Sequence, residues 1–313
     1  MKRSKQILWL FLGIALMVSF FRSQDKLVDA HTIDLIDQAR QLNFEETWPG
    51  YDPEIYPVEI YKKNLLKKDS VVRYEENELY EIKDKTPIYA LSMDVDEDGQ
   101  AMLLVTSATD FRNFSDVGNF DSPSADLYYQ AVICHEAFHC FQSDQGYYEL
   151  FAEQVSAYER SNVLTTSRKL DEDVEYQKLW VEEMNCLIDY AKDNNSANYQ
   201  AYLKSYQDRL NYLYKNFEST DVDEYLTYSA FYEKAEGTAQ YIENIAIAQL
   251  SGKDLVFAIT GYEKGTAKFY DSGYFKAYIL DQQQGLDWKT DFFKTNKTFE
   301  DYLLNLDQED LND

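Results

Sequence analysis

The chain's five prolines all lie at or before Pro123, and none follows it. A proline inside a helix removes a backbone donor and clashes with the preceding turn, at a cost of about 3 kcal/mol. The long proline-free remainder is therefore open to extended helices, and only 11 glycines in the whole chain leave few other break points. Apolar residues recur at helical spacing near 124–143, 147–163, 171–192, 198–216, 222–250 and 268–283. In the third segment Val174, Leu179, Trp180, Met184, Leu187, Ile188 and Ala191 form one stripe, and Tyr199, Tyr202 and Tyr206 continue the pattern in the next. Both stripes read as core packing.

The proline-bearing part reads differently. Leu27, Ile33, Leu35, Ile36 and Leu42 predict a helix within 25–43, followed by WPGYDPEIYPVEIY with an alternating strand from Val58 to Tyr61. The segment PIYALSMDVDEDGQAMLLVTS predicts two strands joined by an acidic turn at Gly99. The opening of that turn, Asp94 to Gly99, matches the start of a calcium loop. Position 12 of such a loop would be Val105, where a glutamate is needed, so the reading is an acidic hairpin turn. The fold class is α+β and mostly helical. A 25–120 region with an N-terminal helix and a small β-rich lobe packs on a helical lobe spanning 121–313.

Composition excludes several classes of partner. Thirty basic against 56 acidic side chains give a net charge of −26, a field that repels a phosphate backbone and anionic lipid alike. Nucleic acid is not expected as a partner. Twenty-seven tyrosines, 18 phenylalanines and 4 tryptophans exclude a disordered chain.

Residues 1–24 read as a signal or membrane-anchor segment. Lys2, Arg3 and Lys5 precede an apolar run from Ile7 to Phe21 with no clear small-x-small cleavage site. As a helix that run spans roughly 22 Å, short of a bilayer core of about 30 Å; Trp9 and snorkelling Lys and Arg extend its reach. Anchoring and cleavage with release both remain open. In either case the positive flank predicts that the rest of the chain lies outside the cytoplasm, with membrane contact through the N-terminal segment. Cys134 and Cys140 on one helix would lie about 9 Å apart, beyond the roughly 7 Å reach of a disulfide. Three buried free thiols, with Cys186, are expected.

The chemistry concentrates at His135-Glu136-Ala137-Phe138-His139. Side chains at i and i+4 share a helix face, so His135 and His139 can reach one metal ion. Zinc favours imidazole nitrogen, and a catalytic site takes three protein ligands with one position open. Glu136, at the edge of that face, can take a proton from water at the metal without being a ligand. In a shuffled chain of this composition the pattern would arise about 0.002 times, which weighs against coincidence. His31 is the only other histidine and lies near the N-terminal segment, so the third ligand is expected to be a carboxylate. Glu149, Glu153, Glu159 and Glu236 are the candidates. Glu236 is favoured because Gly237 and Ala239 would let its helix approach the metal helix closely. Glu243, seven residues on, could then hydrogen-bond a ligand histidine.

HEAFH followed by EGTAQYIE (236–243) resembles the gluzincin metallopeptidases, whose second motif in the aminopeptidase N-like branch commonly reads Asn-Glu-Gly-x-x-x-Tyr-x-Glu. Here Ala235 stands in place of the Asn. Tyr270-Asp271-Ser272-Gly273 resembles that branch's Tyr-x-x-Gly, and the resemblance implies that Tyr270 stabilises the tetrahedral oxyanion. WPGYDP (48–53), HEAFHCFQ (135–142), EGTAQYIE and YFKAYILDQ with DWK (274–289) are together similar to poorly characterised bacterial zinc-dependent peptidases, over residues 45–290. Two departures stand out. Ninety-six residues separate His139 from Glu236, far more than in thermolysin-like enzymes, and the Gly-x-Met-Glu-Asn motif that grips a substrate α-amine is absent. The segment Ala101 to Ser107 is expected as an edge strand able to pair with an extended substrate.

The resulting expectation is a zinc metallopeptidase acting on peptide or protein substrates. His135, His139 and Glu236 hold Zn2+, Glu136 is the general base and Tyr270 the oxyanion helper. Two rivals are a zinc hydrolase of a non-peptide bond and a surface interaction protein that keeps the fold without turnover.

Overall fold

The computed structural model describes residues 28–62, 69–82, 85, 91–114, 125–154, 157–254, 264–304 and 306. The N-terminal segment 1–24 lies outside them. No helix among the described residues is long and apolar enough to cross a membrane.

Helix α1 (Ala30–Arg40) starts at Asp29, whose carboxylate accepts from the Thr32 amide at 2.9 Å and caps an otherwise unpaired donor. Five strands follow: β1 (Val58–Lys62), β2 (Ser70–Glu75), β3 (Glu78–Ile82), β4 (Ser92–Val95) and β5 (Ala101–Thr106). They form one sheet in the order β3-β2-β1-β5-β4. β1 and β5 run parallel, with Val58 opposite Leu103 and Ile60 opposite Val105; the other neighbours are antiparallel. Glu76 and Asn77, at φ 50° and 63°, make the tight β2–β3 turn, whose left-handed backbone matches the strand twist.

β5 is not an edge strand. β1 covers one side and β4 the other, and all six of its residues are buried. Its Ala-Met-Leu-Leu-Val-Thr run is apolar on both faces, which is what an interior strand requires. The edge next to it is β4. At the β4–β5 turn Asp96 accepts from the amides of Asp98 (3.0 Å) and Gln100 (2.9 Å), so this carboxylate closes a hairpin.

The helical part comprises α2 (Ala108–Phe114), α3 (Ala125–Asp144), α4 (Tyr147–Gln154), α5 (Ala157–Glu172), α6 (Val174–Lys192), α7 (Ser196–Asn216), α8 (Ser219–Tyr232), α9 (Thr238–Ser251), α10 (Lys268–Gln284) and the short α11 (Phe299–Leu303). The fold is thus mostly helical α+β, as the pattern predicts. The expected helix over 147–163 is divided between α4 and α5. The expected helix over 222–250 is interrupted by a π turn at Glu233–Gly237.

α3 is buried on most sides, from Tyr129 to Gln142, and lies in the main core with one face of the sheet, α1, α9 and α10. Trp48 of the WPGYDP segment packs edge-on to Phe138 of α3 (4.9 Å) and to Trp288 (5.3 Å). It thereby ties the N-terminal part to α3 and the C-terminal segment. A second core joins α5 through α8, with Val163, Tyr176, Trp180, Leu213 and Tyr225. Beside it Arg209 of α7 and Glu183 of α6 form a buried two-point ion pair (2.6 and 3.1 Å). Cys134, Cys140 and Cys186 are free; the first two are buried, whereas Cys186 is partly exposed.

The closest approach between elements joins the π turn to α10. A Cβ on Gly237 would lie 2.3 Å from the Cα of Gly273, and one on Gly273 would lie 2.2 Å from the carbonyl oxygen of Glu233. Gly237 therefore serves contact with α10, not the close approach to the metal helix that the sequence suggests. Gly237→Ala is expected to destabilise the chain by about 3 kcal/mol, the upper range for an overpacked core. Urea denaturation measures this, and an unshifted midpoint would show that the two backbones do not touch.

Candidate metal centre

The metal-binding geometry begins with two histidines one turn apart. His135 and His139 sit in the middle of α3, each only 7% exposed, with ring centroids 4.8 Å apart. The π turn brings Glu236 across from them. His135 Nε2 and His139 Nε2 are 3.1 Å apart, and Glu236 Oε2 lies 3.5 Å from the first and 3.2 Å from the second. Zinc–ligand bonds of about 2.05 Å at tetrahedral angles place neighbouring ligand atoms about 3.3 Å apart. The three edges bracket that value. Three lone-pair atoms this close repel one another unless protons or a metal cation lie among them. Among the described residues, this is the one group of three or more His, Cys, Asp and Glu side chains with metal-ligand geometry.

Each histidine is held at its other nitrogen. Glu243, two turns after Glu236 along α9, places Oε2 3.0 Å from His135 Nδ1, an ion-pair contact set off the line of a straight hydrogen bond. His139 Nδ1 faces Gln142 Oε1 at 2.8 Å and the Tyr148 hydroxyl at 3.1 Å. Burial lowers the pKa of His135, but the Glu236 and Glu243 carboxylates outweigh it and raise it to about 10. Burial likewise works against the Glu236 carboxylate, yet the adjacent imidazoles of His135 and His139 hold it well below the usual range.

Glu136 is half-buried. Burial pushes its carboxyl up, partly offset by the nearby histidines, so it is a stronger base than an exposed glutamate. Tyr270, at the start of α10, stacks beside His135 with ring centroids 6.2 Å apart and planes 15° apart. Burial and the adjacent Glu236 carboxylate hold its phenol protonated well past the ordinary range. The structure thus brings His135, His139 and Glu236 together, with Tyr270 stacked beside His135 and Glu136 within electrostatic reach of both histidines.

The other candidates fall elsewhere. His31 is half-exposed beside Asp126 (3.3 Å), in the first turn of α3. Glu149 is exposed on α4. The side chains of Glu153 and Glu159 lie outside the described residues. Gln142 and Tyr148 are contacts that the sequence reading passes over. Gln142 was legible in principle, because it stands three residues after His139 and so shares its helix face.

Comparison with family models, curated proteins and solved structures returns no match. The geometry therefore stands on its own.

Zinc titration of the chain is expected to reach one ion per molecule. It should release at least one proton near neutral pH, because His135 must lose its proton to become a ligand. Calorimetry in two buffers of different ionisation enthalpy reads both quantities. Glu236→Ala should abolish tight binding, and Glu243→Gln should weaken it about 10- to 100-fold. Undiminished binding in Glu236→Ala would move the third ligand elsewhere.

Proposed function

We propose that the chain is a zinc-dependent metallopeptidase that hydrolyses peptide bonds. The observation that carries this reading is the convergence of two imidazole nitrogens and one carboxylate at tetrahedral spacing, with a basic glutamate next to them on the same helix. The donor set fits zinc: two neutral imidazoles and one carboxylate leave one position open, the composition of a catalytic site.

Zinc held there would supply Lewis acidity toward a carbonyl oxygen and make a nearby water more acidic. The chain's own groups do the rest. Glu136 accepts the proton of the attacking water and passes it to the departing amine. The Tyr270 hydroxyl, kept protonated beside Glu236, donates to the oxygen that becomes negative as the carbonyl carbon turns tetrahedral. Glu243 and Gln142 fix the ring orientations of His135 and His139.

The basic residues Lys2, Arg3 and Lys5 and the apolar run after them support action outside the cytoplasm, by a protein either anchored or released. The substrate is a peptide or protein, and the −26 net charge favours encounter with cationic ones.

Zinc-loaded chain is expected to cleave a quenched fluorescent peptide library. Glu136→Gln should keep its zinc yet lose about 10²- to 10⁴-fold in kcat. Tyr270→Phe should lose about 10²- to 10³-fold. A wild-type chain that holds zinc but leaves every peptide intact, while hydrolysing an ester or amide of another class, would overturn the peptidase assignment.

A further inference from the structure

We propose that Gln142 is a positioning residue that links the backbone of the π turn to α3 and so keeps the proton of His139 on Nδ1, with the Nε2 lone pair toward Glu236. The inference rests on the metal-site reading for its purpose, though not for its geometry.

The chain of reasoning starts at a group with no freedom. The carbonyl of Ala235, immediately before Glu236, can only accept. Gln142 places its Nε2 2.8 Å from that oxygen and 3.0 Å from Thr238 Oγ1. Thr238 spends its own hydroxyl proton on Lys234 O at 2.6 Å, so it too accepts from Gln142. A flipped amide would set oxygen against oxygen at Ala235. The side-chain orientation of Gln142 is therefore fixed by the π turn. Its Oε1 then points at His139 Nδ1, 2.8 Å away. An amide oxygen cannot donate, so Nδ1 must carry the proton, and Nε2 presents its lone pair toward His135 and Glu236.

The arrangement satisfies every hydrogen-bonding site of a fully buried amide. Oε1 accepts from His139 Nδ1–H and from the Tyr148 hydroxyl at 3.0 Å, and Nε2 donates twice. Gln142 is 0% exposed, so water cannot replace any of these partners. One amide thus links the helix that carries two candidate ligands to the turn that carries the third. Elsewhere a histidine ligand is often fixed by a carboxylate; a neutral amide leaves His139 less basic and adds the second contact to the π turn.

The test uses the 15N-histidine-labelled chain, whose three histidines give three ring systems. Long-range proton–nitrogen spectra at mildly alkaline pH, without metal, report the tautomer of His139. The Nδ1–H form is expected in the wild type and in Gln142→Glu, which still accepts from Nδ1. Gln142→Met should shift His139 toward the Nε2–H form and weaken zinc binding about 10- to 100-fold. Gln142→Glu should keep the tautomer yet lose zinc affinity, because it no longer donates to Ala235. Tyr148→Phe should leave the tautomer unchanged. An Nε2–H tautomer in the wild type, an unchanged tautomer in Gln142→Met, or a switch caused by Tyr148→Phe would each overturn the assignment. Should Gln142→Met fail to fold, the wild-type tautomer and Gln142→Glu decide the matter. A wild-type chain without zinc affinity would remove the metal reading, and the tautomer measurement would still settle the role of Gln142.

Discussion

Two glycines in contact decide where the site can form. Gly237 closes the π turn and Gly273 lies one turn into α10, and neither position has room for a single methyl group. A π turn widens the helix by one residue and is costly unless its surroundings hold it. Here the Glu233 carbonyl lies against the bare Cα of Gly273, where any other residue would clash. The contact sets Glu236 on one side of the junction and Tyr270, three residues before Gly273, on the other. The Glu-Gly and Tyr-x-x-Gly patterns of the sequence thus acquire a physical meaning. Each glycine is the space required by the other.

Behind the junction, away from the ligands, lies a buried network of charge. Glu233 accepts from Lys276 and Ser272 at 2.7 Å each, and Lys276 also bonds Glu300 of α11. Lys234 donates to the carbonyls of Thr295 and Lys297 and lies 4.3 Å over the ring of Phe292. Buried ion pairs of this kind add little net stability, because desolvation offsets most of their attraction. Their effect is geometric. Removing any partner would strand a charge in the core, so the π turn is held in one register against α10 and the C-terminal segment. The Glu236 carboxylate, supported in this way, sits on rigid elements and is not left to a mobile loop.

The sequence carried the local part of this design and hid the rest. His135, Glu136 and His139 are visible because helical spacing alone puts them on one face, and α3 was legible from its unbroken apolar run. The α+β class followed from where the prolines stop. What could not be read is tertiary. Whether β5 is an edge depends on β1, more than forty residues earlier, pairing with it in parallel, and no local pattern announces that. The π turn leaves no mark in the periodicity of 222–250, since one inserted residue is absorbed within a strongly apolar helix. Gly237 does signal close packing, but its neighbour is Gly273 of α10, which local sequence does not reveal. The role of Gln142 in HEAFHCFQ is invisible locally, because it comes from Ala235 O, ninety-three positions away.

The length of chain between His139 and Glu236 is a modest obstacle to bringing them together. Closing a loop costs about 0.6 kcal/mol for each doubling of its length. Relative to a spacing of about twenty residues, the 96 between His139 and Glu236 add only about 1.4 kcal/mol to the entropy of bringing them together. That sum is comparable to one or two buried hydrogen bonds. Nor is the intervening segment slack chain, since α4 through α8 build a core of their own around Trp180 and Tyr225. That core on one side and α10 on the other hold the π turn where the Gln142 amide donates to Ala235 O. Distance in sequence is therefore a poor guide to whether a third ligand is available; a rigid path between the two ends is the better one.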